Sequence, residues 1–305
     1  MGLLRDFFIA LSHNKTLERF LTSTRLGRKI SRRFVAGETL DELVEVVRRL
    51  KEEGIYTTVA FLGEHYKAKE PALRSVEEYL RLADALAPFR EYSEISLKLT
   101  QLGLEIDRDF TYENLKRIAE KAKSVGLYVN VDTEESRLLD DTLWIVKRMN
   151  DEGYPVGTVI QAYLYRAREI LDELSRYRIN LRLVKGAYKE PPDVAFQDKR
   201  KVDENFKSLA VEMLRRTDRI YPEFATHDER IISFIMRKAE ELGVPKDKYE
   251  FQMLYGVRLG LQRKVKRTHR LRLYVPYGSH WYPYFMRRLA ERPANVWFVL
   301  RGLFG

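Results

Sequence analysis

The sequence predicts an α/β fold in which eight parallel strands close into a (β/α)8 barrel behind an N-terminal helical arm. Three observations lead there. Short apolar, β-rich runs recur about eight times, helical patterns alternate with them, and no linker is long enough to set off a second domain. At 305 residues and 45% hydrophobic, the chain has the size at which one barrel buries one large core.

Residues 1–53 read as the arm and residues 54–305 as the barrel. Between Leu3 and Phe34, the apolar positions Leu3, Phe7, Leu11, Leu17, Phe20 and Leu21 are set among Arg19, Arg25, Arg28, Lys29, Arg32 and Arg33, the pattern of basic amphipathic helices. The strand runs are Ile55–Gly63, Ile95–Leu102, Leu127–Asp132, Val156–Leu164, Leu181–Tyr188, Glu223–His227, Tyr249–Leu254 and Leu271–Tyr277. Helical stretches fall between them at Arg74–Ala87, Tyr112–Val125, Glu134–Asn150, Val202–Arg216 and Asp228–Leu242. Gly126 and Gly243 stand where a helix C-terminus favours glycine, and Glu134 and Glu135 stand where the dipole at a helix start favours negative charge. After the eighth run, Pro276 and Gly278 make a turn, and Tyr284, Arg287, Arg288 and Glu291 follow at helical spacing.

Composition removes several function classes. The absence of cysteine excludes disulfides, thiolate nucleophiles and cysteine-ligated metal centres. A net charge of +10 points to an anionic partner, but the basic residues form no tail and no nucleic-acid motif, so no nucleic acid is expected. No apolar run approaches the roughly 18 residues of a membrane span. The opening MGLLRDFFIALSHN lacks a cleavage site, and Asp6 stands where myristoylation wants Ser or Thr. The basic amphipathic arm can still lie on an anionic membrane surface. The five histidines show no metal-binding spacing and there is no nucleotide-binding glycine motif, so no metal is expected.

A barrel places its chemistry at the C-terminal strand ends. Those ends offer Glu64, Lys98, Asp132, Gln161, Lys185, Thr226 with His227, Gln252 and Tyr274, which together make a polar cup. Arg287 and Arg288 would reach over it, and paired guanidiniums suit a carboxylate or phosphate. A phosphorylated or other anionic small molecule remains open as an alternative, with Tyr255-Gly256 and Tyr277-Gly278 as a thin phosphate nest.

The strings ISLKLTQLGL, VIQAYLYR, LRLVKGAYKE, ATHD, YEFQMLYG, RLYVPYG and YFMRRLAERPAN resemble the monofunctional bacterial proline dehydrogenases, a likeness running from about Gly54 to the C-terminus. The resemblance implies a distorted (β/α)8 TIM barrel, noncovalent FAD, oxidation of L-proline to Δ1-pyrroline-5-carboxylate and a membrane quinone as electron acceptor. It further implies a cytoplasmic protein that can dock on the inner face of the cell membrane. By resemblance, Arg287, Arg288 and Lys98 hold the proline carboxylate, Tyr274 and Tyr284 wall its ring, and Leu254 adds an apolar contact. Asp132 is an active-site acid that orders its neighbours, counted with Lys98 and Tyr274 as catalytic, and Glu64 is a gate that pairs with Arg287. Gln161, Val184, Lys185, Gly186, Ala187, Tyr188, Thr226 and His227 fall on flavin contacts. The chain departs from the family pattern at VDTEES after the third strand and at Gln197.

Overall fold

The computed structural model describes residues 14–24, 27 and 31–291. Eight parallel strands close in sequence order: β1 (Tyr56–Phe61), β2 (Ser93–Lys98), β3 (Val129–Asp132), β4 (Val156–Gln161), β5 (Ile179–Val184), β6 (Ile220–Ala225), β7 (Glu250–Leu254) and β8 (Leu271–Tyr277). The β1–β8 pairing, from Tyr56 opposite Arg272 to Phe61 opposite Tyr277, closes the ring. The helices are α1 (Lys15–Ser23), α2 (Leu40–Glu52), α3 (Lys69–Leu86), α4 (Arg108–Val125), α5 (Leu139–Asp151), α6 (Ala167–Leu174), α7 (Lys199–Leu214), α8 (Glu229–Glu241), α9 (Leu259–Lys266) and α10 (Trp281–Glu291). No helix among the described residues is long and apolar enough to cross a membrane. Of the predicted arm, residues 1–13, 25, 26 and 28–30, with Leu3, Phe7, Leu11, Arg25, Arg28 and Lys29 among them, lie outside the described residues.

Each expected strand is present, and its outward residues are mostly apolar. In β2, Ile95 and Leu97 are buried toward the helices, as are Val129 and Val131 in β3 and Leu181 and Leu183 in β5. They pack in one core with Tyr79, Leu82, Leu115, Ile118, Phe206 and Leu209 from α3, α4 and α7. Burying each such side chain contributes about 1.5–3 kcal/mol. The α2 residues Leu43, Val47 and Leu50 join the same core.

Several details depart from the sequence prediction: the run Val156–Leu164 is strand only to Gln161, and the run Leu181–Tyr188 is strand from Ile179 only to Val184. The run Ile95–Leu102 is strand only to Lys98, after which Leu99–Leu102 turn helically and end at Gly103, at φ 110°. Strand β6 begins at Ile220, ahead of the expected Glu223, since Pro222 and Tyr221 obscure its alternation. Glu134 does not open a helix: α5 starts at Leu139, and the Glu134 carboxylate is buried, accepting from the Thr100 N–H at 3.1 Å and its hydroxyl at 2.7 Å. Gly126 does end α4, at φ 76°.

The barrel interior is charged where barrels of this class pack branched aliphatics. Inward positions carry Glu94, Asn130, Arg182, Glu223, Glu250, Gln252 and Arg272, all buried. Arg272 Nε donates to Glu250 Oε1 at 2.5 Å, and Arg182 Nη2 lies 3.4 Å from Glu94 Oε1. A second apolar cluster lies outside the barrel, where Trp281, Tyr282, Phe285, Met286 and Leu289 of α10 pack on Phe34, Val35, Leu62 and Val257.

Candidate active site

Asp132 is the hub of the cup. Alternation along β3 turns Asn130 and Asp132 to the interior, and the register sets Lys98 opposite Asp132. One carboxylate oxygen accepts from Ser96 Oγ at 2.9 Å and Arg182 Nη1 at 2.7 Å; the other accepts from Tyr274 OH at 3.0 Å and Lys98 Nζ at 3.4 Å. Burial alone would raise the carboxyl's pKa, but Lys98 and Arg182, with these hydrogen bonds, hold it below the ordinary aspartate value. Burial would likewise lower the Lys98 ammonium, yet Asp132, Tyr188 and Glu64 keep it above the ordinary lysine value. Burial and the adjacent Asp132 push the Tyr274 phenol well above its usual range, so it remains a hydrogen-bond donor.

Above the hub, α10 brings Arg287 Nη1 to 2.7 Å from Glu64 Oε1 on the loop after β1. Burial opposes ionisation of Glu64, but Arg287 and Lys98 overcome it and lower its pKa. Arg288 lies over the Tyr284 ring, 4.9 Å from its centroid, the partner one helical turn earlier. Tyr284 is buried and Leu254 half-buried at the end of β7. The two groups of residues are neighbours: the Glu64 and Lys98 charges act on each other, and Tyr284 acts on Tyr274.

On the β4–β6 side, Gln161 donates to Thr133 Oγ1 at 3.0 Å and to the Glu134 carbonyl at 2.8 Å. Its own Oε1 is a buried acceptor with no donor among the described residues. Lys185 is held between Asp203, at 2.5 Å, and Asp228, at 3.2 Å. The segment from Val184 to Tyr188 turns at Gly186, φ 114°, where a Cβ would stand 2.4 Å from the Tyr163 ring. Ala187 and Tyr188 follow that turn. Thr226 Oγ1 accepts from the Asp228 N–H at 3.1 Å. His227 Nε2 accepts from the Leu254 N–H at 3.0 Å, which ties the end of β6 to the end of β7 and leaves the ring proton on Nδ1. Among the described residues no cluster of three or more His, Asp or Glu side chains is placed to hold a metal.

The structure thus gathers most of the nominated residues at one rim, with one displacement. Gln252 lies a layer deeper, accepting from Arg182 Nε at 2.6 Å and donating to Glu250 at 2.8 Å. Arg182 itself was missed. Its signal is a lone charge between Leu181 and Leu183, on the same face of the strand as Asn180, an inward arginine that must meet partners in the barrel. The glycines of the phosphate-nest alternative are taken up by the N-terminal segment. A Cβ on Gly256 would stand 1.7 Å from the Arg33 carbonyl oxygen, and the Gly278 N–H donates to the Gly37 carbonyl at 2.9 Å.

Fold and site together define a parallel (β/α)8 barrel whose mouth sets cations over a buried acid and tyrosines. A family profile described as Proline dehydrogenase matches residues 43–301, and the chain belongs to that family. It is 43% identical over 304 residues to Proline dehydrogenase 1 of Bacillus subtilis (strain 168), covering 99% of both chains. It is 38% identical to Proline dehydrogenase of Deinococcus radiodurans, over 90% of each. The Bifunctional protein PutA of Escherichia coli (strain K12) is 30% identical over 90% of this chain and 24% of its own length. The crystal structure of proline utilization A (PutA) from Bdellovibrio bacteriovorus inactivated by N-propargylglycine superposes with a TM-score of 0.81 at 26% identity, over 87% of this chain and 33% of that one.

Proposed function

We propose that the protein oxidises L-proline to Δ1-pyrroline-5-carboxylate, with noncovalent FAD as cofactor and a membrane quinone as the onward acceptor. The observation that carries this reading is the meeting, in a barrel of this family, of Lys98 and Tyr274 on Asp132, with Arg287 paired to Glu64 and Arg288 laid over Tyr284 on the helix that follows β8.

Guanidiniums pair with a carboxylate in a planar, bidentate manner, so Arg287 and Arg288 are assigned to the proline carboxylate with Lys98 beside them. Glu64 holds Arg287 and acts as the gate. Tyr274 and Tyr284 wall the ring, Leu254 lines it, and the tyrosine at 274 leaves little room for a ring hydroxyl. Asp132 receives four donors and its pKa is held low, so it orients Lys98 and Tyr274 and is a poor proton acceptor. The cations around the bound amine lower its pKa, which favours loss of the ammonium proton before the adjacent ring C–H bond breaks.

FAD, when bound, supplies the two-electron acceptor for the hydride. The residues at the β4–β6 rim fit such a group. The unpartnered Gln161 Oε1 suits an N–H of the flavin ring, Lys185 offers an ammonium, and backbone from Val184 to Tyr188, with Thr226 and His227, completes the wall. No cysteine exists to attach it. A quinone resides in lipid, so the reading includes docking on the inner face of the cell membrane, with the basic arm as the contact. The visible spectrum tests the proposal. A yellow protein that bleaches on adding L-proline without oxygen is the expected result, and a colourless protein that cannot be loaded with FAD refutes it.

A further inference from the structure

His65, the residue after Glu64, has φ 57°, in the left-handed region that non-glycine residues rarely occupy. Backbone held there needs ties that over-determine it, and the structure supplies them. The His65 N–H donates to Thr100 Oγ1 at 3.1 Å, and the next N–H, of Tyr66, donates to the Thr100 carbonyl at 3.1 Å. Nδ1 donates to Glu105 Oε2 at 2.8 Å, and Nε2 lies 3.7 Å from Glu135 Oε1.

These partners are fixed in turn. Thr100 is held through its N–H and hydroxyl by the buried Glu134, and Arg137 donates to the other oxygen of Glu105 at 2.6 Å. His65 therefore laces the loop after β1 to the loops after β2 and β3. Burial would lower the imidazole's pKa, but Glu105, Glu134, Glu135 and Glu64 raise it above the ordinary value, which favours the cation that can engage both carboxylates.

We propose that His65 is a positioning residue for Glu64: latched onto Glu105 and Glu135, it fixes the backbone from which Glu64 reaches Arg287, and so sets how tightly the mouth closes over its anionic substrate. The inference rests on the reading that the Glu64–Arg287 pair governs proline affinity. A gate carboxylate on a slack loop would spend much of its time away from Arg287. The latch converts a strained turn into a fixed reach of 2.7 Å.

The test is a double-mutant cycle on the FAD-loaded enzyme, read as KM for proline and kcat. Glu64→Gln and His65→Ala are each expected to raise KM several-fold with kcat within about twofold, and the double variant to be no worse than Glu64→Gln alone. His65→Asn tolerates the left-handed conformation and can still donate to Glu105, so it should recover most of the affinity. If Glu64→Gln leaves KM unchanged, the gate reading fails and the proposal goes with it. If Glu64→Gln raises KM but the double variant shows the product of the two single effects, the gate stands and His65 does not act through it. Should His65→Ala fail to fold, Glu105→Gln takes its place in the cycle and must show the same non-additivity; a multiplicative result there overturns the latch.

Discussion

Arg287 and Arg288 are adjacent in sequence yet differently placed, one paired with Glu64 and one laid over Tyr284. Replacing Arg288 by Met removes a charged hydrogen-bond donor from the mouth while leaving the β4–β6 rim intact. The expected outcome is a KM for proline raised about 10- to 100-fold with the flavin spectrum retained, measured by steady-state kinetics and absorbance. Asp132→Asn leaves Lys98 and Arg182 without their shared anion and is expected to cost about 3 kcal/mol in urea unfolding at neutral pH. The sign of its pH dependence follows from the lowered folded pKa. The stabilisation is fully present above the unfolded aspartate value of about 3.9 and is lost as the pH falls through the lower folded value, so variant and parent converge in acid. At this scale the rim residues were legible because strand ends are where a parallel barrel exposes polar groups. Glu134 was not, because a glutamate before a helical pattern reads equally well as the start of a helix and as a buried cap for Thr100.

The helix α10 takes its position from segments far away in sequence. Phe34 and Val35 pack against it, the Ala36 N–H donates to the Pro276 carbonyl at 2.8 Å, and Trp281 Nε1 donates to Glu38 at 3.0 Å. Gly256, at φ 74°, admits the Arg33 backbone to this assembly. Gly256→Ala introduces both left-handed strain and a clash with main chain. It is expected to lower stability by about 1–3 kcal/mol and to raise the proline KM as α10 loses its support, checked by thermal unfolding and kinetics. The eight strands and the helix after the last were readable from alternation and spacing. Their packing was not, since nothing local in Phe34 or Val35 names Phe285 or Trp281 as partners. The run Leu99–Leu102 was misassigned for a related reason: its leucines satisfy a buried strand and a buried helical turn alike.

Over the whole molecule, the aliphatic shell lies between strands and helices, and the barrel's axis is a network of Arg182 and Arg272 with Glu94, Glu223 and Glu250. Burial raises the pKa of Glu94 and of Glu223; repulsion from Glu250 adds to the first and repulsion from Glu94 and Glu250 to the second, while the arginines work the other way. A carboxyl with a raised folded pKa favours the folded state below its unfolded value of about 4.3, and that contribution is lost as the pH rises through the folded value. Arg182→Leu is therefore expected to cost about 3–5 kcal/mol, with a loss larger at pH 8 than at pH 5, as urea unfolding at both values would record. The closed ring was legible from the count of strand runs, whereas the ionic axis was hidden by strands such as INLRLV that read as apolar overall. The pairing of β1 with β8 and the seat of α10 on Phe34 and Val35 also bear on how the chain is made. On the ribosome the first strand has no eighth to pair with, and the seat at Phe34 and Val35 stays empty, until β8 and α10 have emerged. A nascent chain can therefore acquire its earlier helices and inner strand pairs first, while closure of the barrel and docking of α10 on Phe34 and Val35 come together as one late step.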